Sequence, residues 1–331
     1  MGSAEGRPAT LSLPGRDGGG DVNAIEITNL TKRYRSRGGP VHAVAGLDLA
    51  VPVGGIHGFL GANGAGKTTT IRALVGHLAA TSGELRLLGA SVPHDLPKVI
   101  DRVGALVEQP SFFANFSGRR NLQLLAKSRG FATSRVETAL ARVGLTDRAS
   151  SRFATYSLGM KQRLGVAAVL LKDPEVLILD EPANGLDPPG ILEMRNLLRR
   201  LGDEGRTVLV SSHILSEVQQ TCDHVTVIAH GRTIRTGSVQ DLLQHGSSKY
   251  RIAVPGGERE QHLAASVLTQ AGFEVFAGPA GELAVEVTPE QADMVTKALA
   301  DAAIYLSELA PIERTLEEAF LELTAEAGGA S

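Results

Sequence analysis

Short apolar runs alternate with stretches of helical periodicity between about residues 24 and 237. This alternation is typical of a mostly parallel sheet that is covered by helices. Residues 176–180 and 207–211 are largely apolar and contain several β-branched side chains, and residues 55–60 are a short, mostly apolar run before a glycine-rich turn, so all three predict buried strands. Residues 67–77 follow a glycine-rich turn and predict a helix. The pattern therefore predicts an α/β fold.

A stretch without a convincing strand interrupts this alternation at about residues 117–172. Apolar positions recur there at helical spacing, most clearly over residues 119–128 and 134–143. We therefore expect a helical subdomain, at about residues 110–172, inserted into an α/β domain that covers residues 24–245.

The pattern changes again after residue 237, where a short helix over 239–244 leads into a Gly-Ser linker at 246–248. The runs beyond it predict strands and helices in the order βαββαβ, which is the order of a ferredoxin-like sandwich. The expected strands are 250–254, 273–276, 282–287 and 304–309, and the expected helices are 259–271, 289–302 and a closing helix at 315–324. We assign residues 246–331 to a small α+β accessory domain, and residues 1–23, which are rich in Gly, Pro and Ser, to a disordered leader.

Composition narrows the possible partners and the compartment. The chain has 331 residues, with 33 Lys and Arg against 36 Asp and Glu, and its net charge of −3 argues against a surface that coats nucleic acid. The single cysteine, Cys222, favours a reducing compartment and a small core side chain. The apolar runs are far shorter than the ~20 residues that cross a bilayer as a helix, and no signal peptide precedes them. We expect a cytoplasmic protein.

A phosphate-binding motif lies between the predicted strand 55–60 and the predicted helix 67–77. The sequence Gly-Ala-Asn-Gly-Ala-Gly-Lys-Thr at residues 61–68 fits G-x-x-x-x-G-K-[ST] in the strand–helix context that this motif requires. Its amides form an anion nest at the helix N-terminus, where Lys67 reaches the β- and γ-phosphates of ATP, Thr68 ligates Mg²⁺ and Thr69 donates to the α-phosphate. The residues expected to contact the nucleotide are Gly61, Asn63, Gly64, Ala65, Gly66, Lys67, Thr68 and Thr69.

Two adjacent acids follow the predicted strand 176–180, at the edge where open α/β sheets bind their ligands. We expect Asp180 to be an outer ligand of Mg²⁺ and Glu181 to polarise the attacking water. The alternative is that the pair only caps a helix.

The sequence Tyr-Ser-Leu-Gly-Met-Lys-Gln-Arg at residues 156–163 resembles the signature motif of the ABC ATPases, whose usual form is L-S-G-G-Q. Ser157 and Gly159 match that form, whereas Leu158 and Met160 depart from it. A serine hydroxyl and free amides at a helix start form a second anion-recognising end. The resemblance implies a P-loop ABC-type ATPase domain in which Ser157 and Gly159 face the ATP that is held by the other subunit.

Four further residues occur along the chain in the same order as the corresponding site residues of that family. Tyr34 resembles the aromatic residue that stacks on adenine, although alone it could be a tyrosine at a strand edge. Gln109 resembles the glutamine that senses Mg²⁺ and water and links to the membrane partner. Asp187 resembles the loop through which two subunits communicate, and alone it could be a helix N-cap. His213 resembles the switch histidine that contacts the γ-phosphate.

The resemblance implies an ATP-binding and ATP-hydrolysing subunit that uses Mg²⁺, pairs with a second, identical or paralogous ATPase subunit, and powers a separate membrane-spanning permease from the inner face of the membrane. Residues 156–163, together with Arg-Thr-Leu-Glu-Glu-Ala-Phe at 314–320, resemble bacterial exporters of antibiotics and other drugs. The resemblance implies export of a drug, an antibiotic or a lipid-like compound. The alternatives are a soluble ABC ATPase without a membrane partner and a nucleotide-binding scaffold without turnover. Some of the phenylalanines after Gln109 either line a groove for a coupling helix of the permease or are buried in the subdomain; they are Phe112, Phe113 and Phe116.

Overall fold

The computed structural model describes residues 23–36, 39–107, 111–244, 248–277, 283–288, 291–312 and 315–321. Almost all of the expected leader and the predicted site residue Gln109 therefore lie outside the described residues. Within the described ranges, no helix has the length and apolarity needed to cross a membrane.

The described strands and helices are numbered here in the order of the chain. The strands are β1 (Asn23–Ser36), β2 (Gly39–Pro52), β3 (Gly55–Leu60), β4 (Ser82–Leu87), β5 (Ala90–Ser91), β6 (Val103–Leu106), β7 (Val176–Asp180), β8 (Thr207–Ser212), β9 (His224–Ala229), β10 (Arg232–Ser238), β11 (Ser248–Ala253), β12 (Glu274–Ala277), β13 (Leu283–Val287) and β14 (Glu308–Pro311). The helices are α1 (Lys67–Leu74), α2 (Gly118–Ser128), α3 (Ser134–Arg142), α4 (Leu158–Leu170), α5 (Pro188–Asp203), α6 (Leu215–Thr221), α7 (Val239–Gln244), α8 (Glu258–Gln270) and α9 (Ala292–Asp301).

A six-stranded sheet forms the centre of the molecule in the order β10-β9-β3-β8-β7-β6, and all its pairs except β9–β10 are parallel. Successive residues of β7 enter different cores: Leu177 and Leu179 join one buried cluster, while Val176 and Ile178 join another. Both faces of this strand are therefore covered, which explains why its sequence is continuously apolar rather than alternating.

A second, antiparallel sheet covers the side of the central sheet that carries α1, in the order β2-β1-β4-β5. Its inward residues, among them Ile25, Leu47 and Leu87, share one core with Phe59 of β3 and Ile71 of α1. This packing fixes β3 and α1, and therefore the turn between them, against a rigid neighbour.

The inserted helical subdomain consists of α2, α3 and α4. The predicted helices at 119–128 and 134–143 are confirmed, and each bound agrees to within one residue. Leu122, Leu140 and Leu164 are fully buried and belong to the same cluster as two residues of β7, Leu177 and Leu179. The Arg163 guanidinium in α4 donates to the carbonyl oxygen of Val143 at 3.0 Å, which ties α4 to the end of α3.

The C-terminal unit has the predicted βαββαβ order, and its antiparallel sheet runs β12-β13-β11-β14. This strand order is that of a ferredoxin-like sandwich. The last strand is present as predicted, but its bounds differ: it was predicted at 304–309, and the observed strand β14 is Glu308–Pro311. Ile304, whose side chain is only 9% exposed, packs into the core of this unit from the connection that precedes β14. Apolar residues of a core-facing connection therefore imitate a strand pattern.

Two predicted helices differ in length from the observed ones. The helix predicted at 67–77 ends at Leu74, because Gly76 adopts a φ of +76°, a left-handed conformation that stops a helix. The helix predicted at 289–302 runs from Ala292 to Asp301, and residues 289 and 290 lie outside the described ranges.

The chain returns to the first α/β domain after the C-terminal unit. Residues 316–321 are helical, and residues 322–324 of the predicted closing helix lie outside the described part. Leu316 is 1% exposed and belongs to the same apolar cluster as β7 and α4. Its backbone N–H donates to Oε1 of Gln219 in α6 at 2.9 Å. This segment is therefore attached to the domain that carries the P-loop.

Candidate active site

The glycines of the P-loop are required by close backbone approaches. A Cβ on Gly66 would lie 2.8 Å from the carbonyl oxygen of Ala43, and a Cβ on Gly61 would lie 2.7 Å from that of Ile228. Gly64 and Gly66 also have φ values of +83° and +110°, which L side chains rarely adopt. The loop therefore curls tightly enough for the amides at the start of α1 to converge.

Lys67 lies beneath this loop and is only 4% exposed. Its ammonium donates to the carbonyl oxygens of Gly61 at 2.7 Å and Ala62 at 3.3 Å. The same ammonium lies 3.2 Å from Oε1 of Glu181, so the P-loop lysine and the acid after β7 form an ion pair. An open cavity of about 150 Å³ adjoins them and is lined by Ala43, Asn63, Gly64, Gly66, Lys67, Thr68, Thr69 and Glu181.

Ser211 in β8 organises the two acids that follow β7. Its hydroxyl donates to Oδ1 of Asp180 at 2.5 Å and accepts the backbone N–H of Glu181 at 2.9 Å. Ser211 is fully buried and stands opposite Asp180 in the parallel register of β7 and β8. It was not among the predicted site residues, and the signal for it is a hydroxyl at the end of an otherwise apolar run.

Glu181 is held in a strained position by partners on several elements. Its φ of +47° is unusual for a residue with a side chain, and such conformations concentrate at functional sites. Oε2 accepts from the Asn184 amide at 3.1 Å and lies 3.1 Å from Nδ1 of His213. With Lys67 at Oε1, both carboxylate oxygens are engaged. The structure thus brings the predicted residues Lys67, Glu181 and His213 together.

A second open cavity, of about 380 Å³, lies on the other side of Glu181. It is lined by Thr68, Leu106, Val107, Gln162, Asp180, Glu181 and Asn184. Thr68 and Asp180, the two predicted Mg²⁺ ligands that the structure describes, therefore face the same space. Among the described residues, no group of three or more His, Cys, Asp or Glu side chains could hold a metal ion.

The predicted residues of the signature and communication loops lie next to each other but outside both cavities. Ser157 is the N-cap of α4, and its hydroxyl accepts the Met160 N–H at 3.3 Å. Asp187 is the N-cap of α5, and its carboxylate accepts the Gly190 N–H at 3.3 Å. A Cβ on Gly159 would lie 3.7 Å from the Gly190 Cα, so the two helix starts are in close contact.

Tyr34 lies on β1 and is 43% exposed, outside both cavities. The ammonium of Lys32 lies 5.2 Å from the centroid of its ring, close enough for a cation–π contact. The ring is therefore accessible from solvent, as a stacking platform has to be.

Comparison with known proteins identifies the family. Residues 44–184 match the family model described as ABC transporter. The uncharacterized ABC transporter ATP-binding protein YhcH of Bacillus subtilis is 38% identical over 304 residues, which are 91% of this chain and 96% of the relative. The bacitracin transport ATP-binding protein BcrA of Enterococcus faecalis is 36% identical over 301 residues, which are 90% of this chain and 96% of that protein.

A solved structure agrees with these relatives. The structure of cbiO1 from Clostridium perfringens, part of the ABC transporter complex cbiONQ, matches with a TM-score of 0.60 and 26% identity, and the match covers 76% of this chain and 96% of that chain. The predicted fold class is confirmed by this match and by the sheet order described above. The chain belongs to the ABC transporter family, in which it is an ATP-binding subunit with ATPase activity.

Proposed function

We propose that this subunit hydrolyses MgATP between two ATPase subunits and thereby powers export of an antibiotic or another drug through a separate permease. The observation that carries the proposal is the position of Glu181, at 3.2 Å from the P-loop lysine and 3.1 Å from His213. A carboxylate held beside a phosphate-binding loop is placed to act on a water molecule that attacks the γ-phosphate.

Phosphate binding is assigned to the amides at the start of α1 and to the buried ammonium of Lys67. The γ-phosphate and the Glu181 carboxylate compete for that ammonium, so phosphate binding favours release of Glu181 from it. His213 and Asn184 still hold the released carboxylate through Oε2. In this way the acid keeps its orientation while its negative charge becomes available to polarise water.

The oxygen-rich walls of the larger cavity fit a magnesium ion. Mg²⁺ prefers hard oxygen ligands and is usually bound by one or two protein groups together with water and substrate phosphates. The hydroxyl of Thr68 and the carboxylate of Asp180 would hold it here, and Gln109 is proposed as a third contact. When bound, the ion supplies positive charge that neutralises the phosphate oxygens.

A second subunit is proposed to complete each site. Ser157, Gly159 and Asp187 lie at adjacent helix starts outside the cavities of their own chain, which suits recognition of an ATP held by a partner. Tyr34 is proposed to stack on adenine in its own chain.

Export is the proposed direction of transport, and the nature of the cargo is part of the proposal. Support comes from the resemblance of residues 156–163 and 314–320 to bacterial drug exporters, and from the similarity to the bacitracin transport protein of Enterococcus faecalis. The subunit is proposed to work at the inner face of the membrane, attached through the permease. The alternative of a soluble ABC ATPase is not favoured by these relatives.

Two phenylalanines are proposed to receive a helix of the permease. Phe113 and Phe116 are 62% and 40% exposed, and their rings lie 5.2 Å apart. Phe112 instead packs edge-on against Phe153, at 5.1 Å, and against the core. Phe112 therefore fits the alternative of burial in the subdomain. The exposed pair, Phe113 and Phe116, suits an apolar docking groove.

Glu181→Gln tests the proposal. We expect this variant to bind ATP, to form a dimer in MgATP and to hydrolyse ATP about 10²- to 10⁴-fold more slowly, because the amide cannot polarise water. ATP binding is measured by calorimetry, turnover by phosphate release and dimerisation by light scattering.

Two further variants frame this test. Lys67→Ala should lose tight ATP binding. Glu84→Gln is the control and should match the wild type, because the Glu84 side chain is 78% exposed. Unchanged hydrolysis in Glu181→Gln would refute the assignment.

A further inference from the structure

Gln162 is a polar side chain on the buried face of α4. It is only 8% exposed, and Gly159 and Val166, one helical turn away on either side, are buried as well. None of the residues that the structure describes forms a hydrogen bond with its carboxamide. The carboxamide is not among the buried side-chain atoms that lack a partner, so it reaches the open space beside it and is free to bind water there.

The carboxamide borders the same cavity as the proposed magnesium ligands. Gln162 lines the 380 Å³ space together with Thr68, Asp180 and Glu181. That space is large enough for several water molecules. An amide offers both a donor and an acceptor, so it can bind water in either orientation. Its neighbours Leu106 and Val107 are apolar and offer no side-chain alternative.

We propose that Gln162 is a positioning residue that binds the water molecules around the magnesium ion of its own subunit. This inference rests on the proposed MgATP site. It assigns two tasks to one helix, because Ser157 at the N-terminus of α4 is proposed to face the partner's nucleotide, while Gln162, five residues later, faces the nucleotide of its own chain. A rigid helix of 13 residues would thus join the two sites of the dimer.

Two substitutions separate this role from packing. Gln162→Met keeps nearly the same volume and removes both hydrogen-bonding groups. We expect the Mg²⁺ concentration for half-maximal ATPase activity to rise about 10-fold, the effect typical of losing a partner around a metal site. Gln162→Glu adds a carboxylate oxygen and should lower that concentration. Gln123→Met, on α2 and away from both cavities, is the matched control and should show neither change.

A binding measurement provides a readout apart from turnover. In a Glu181→Gln background with ATP, Mn²⁺ binding followed by electron paramagnetic resonance should weaken about 10-fold in Gln162→Met. ATP binding without any divalent metal should stay within about two-fold of the parent, because Gln162 does not line the phosphate cavity. If Gln162→Met does not fold, Gln162→Glu still tests the direction of the change.

Wild-type Mg²⁺ and Mn²⁺ dependence in both Gln162 variants would overturn the inference, and so would equal losses of ATP binding with and without metal. In either case the proposed function would stand, provided that Lys67→Ala still loses ATP binding. Tight ATP binding by Lys67→Ala would instead refute the proposed site itself.

Discussion

Single side chains in the central sheet are held by partners on neighbouring strands. His57 in β3 is 3% exposed, and its Nε2 lies 2.9 Å from the hydroxyl of Thr226 in β9. Its Nδ1 is buried and finds no hydrogen-bond partner among the described residues. Burial, and secondarily the charge of nearby His224, lowers the pKa of His57 from 6.5 to about 4. The imidazole therefore stays neutral at neutral pH.

This shift predicts a loss of stability in mild acid. Between about pH 6.5 and about pH 4 the unfolded chain binds a proton at His57 that the folded chain does not, so stability falls as the pH drops. From pH 7 to pH 5 we expect the free energy of unfolding of the wild type to fall by roughly 2 kcal/mol more than that of His57→Gln. Urea unfolding at the two pH values measures this difference.

The exposed His262 provides the control for that experiment. His262→Gln should keep the pH dependence of the wild type, because this side chain is exposed on α8 and is not part of the buried core that surrounds His57. If His57→Gln loses as much stability between pH 7 and pH 5 as the wild type does, the buried neutral histidine is not the cause.

The site residues that belong to motifs could be predicted from the sequence, whereas the side chains that hold them in place could not. Lys67, Glu181 and His213 were predicted from spacing and resemblance, and they meet in the structure. Ser211 was not predicted, because its contact with Asp180 depends on the register between β7 and β8. That register is set by packing on both faces of the sheet, which a single sequence does not display. The catalytic roles themselves stay predictions.

At the scale of elements, the P-loop depends on two glycines for different reasons. Gly64 and Gly66 both have positive φ values, but a Cβ on Gly64 meets no heavy atom within 4 Å, whereas one on Gly66 meets the Ala43 carbonyl oxygen at 2.8 Å. We expect Gly64→Ala to lower the free energy of unfolding by about 1 kcal/mol from strain alone. Gly66→Ala should cost a further ~1–3 kcal/mol, because backbone has to move.

Thermal and urea unfolding of the nucleotide-free proteins measure these two costs. Gly64→Ala serves as the control for Gly66→Ala, since both substitutions add one methyl group to the same loop. Equal destabilisation by the two variants would contradict the close approach of β2 to Gly66.

Strands and helices whose buried positions form a regular pattern in the sequence were predicted accurately. The errors occur where that pattern is interrupted. Residues 55–60 and 176–180 coincide with β3 and β7, since both strands are buried along almost their whole length. Residues 304–309 were predicted as a strand, yet β14 begins at Glu308. Ile304 is buried from a connection rather than from a strand, and apolar content alone does not distinguish the two cases.

At the scale of the whole molecule, Phe113 offers a test of the permease contact. A 62% exposed phenylalanine contributes little to the core, so Phe113→Glu should leave the melting temperature and the ATPase activity of the isolated subunit close to wild type. Transport by cells that express the subunit with its permease should be impaired, because a charge enters an apolar groove. Drug accumulation in such cells measures this effect.

Phe112→Glu provides the contrasting variant. Phe112 packs against Phe153 and the core, so a charge there should destabilise the subunit itself. A loss of ATPase activity and folding in Phe113→Glu, as severe as that in Phe112→Glu, would favour a core role for both residues.

Because residues 316–321 pack against the ATPase domain, we expect a core substitution in this segment to destabilise that domain. Leu316 is 1% exposed in the core that contains β7, so Leu316→Ala should lower the free energy of unfolding of the ATPase domain by about 2–5 kcal/mol. Leu263→Ala, on the exposed face of α8, is the control and should change it by less than about 0.5 kcal/mol. Urea unfolding measures both; equal effects would mean that residues 316–321 do not stabilise this domain.

The contact of Leu316 with Gln219 gives the C-terminal unit a second attachment to the ATPase domain. The chain leaves the ATPase domain through α7, whose Val239 and Leu242 lie in the same apolar cluster as Leu316. A unit that is attached through one segment can rotate in any direction. A unit that is attached through two neighbouring segments, as here, can rotate only about the line that joins them. Because Gln219 belongs to α6, which starts two residues after His213, we expect such a turn to pull on the helix next to that histidine.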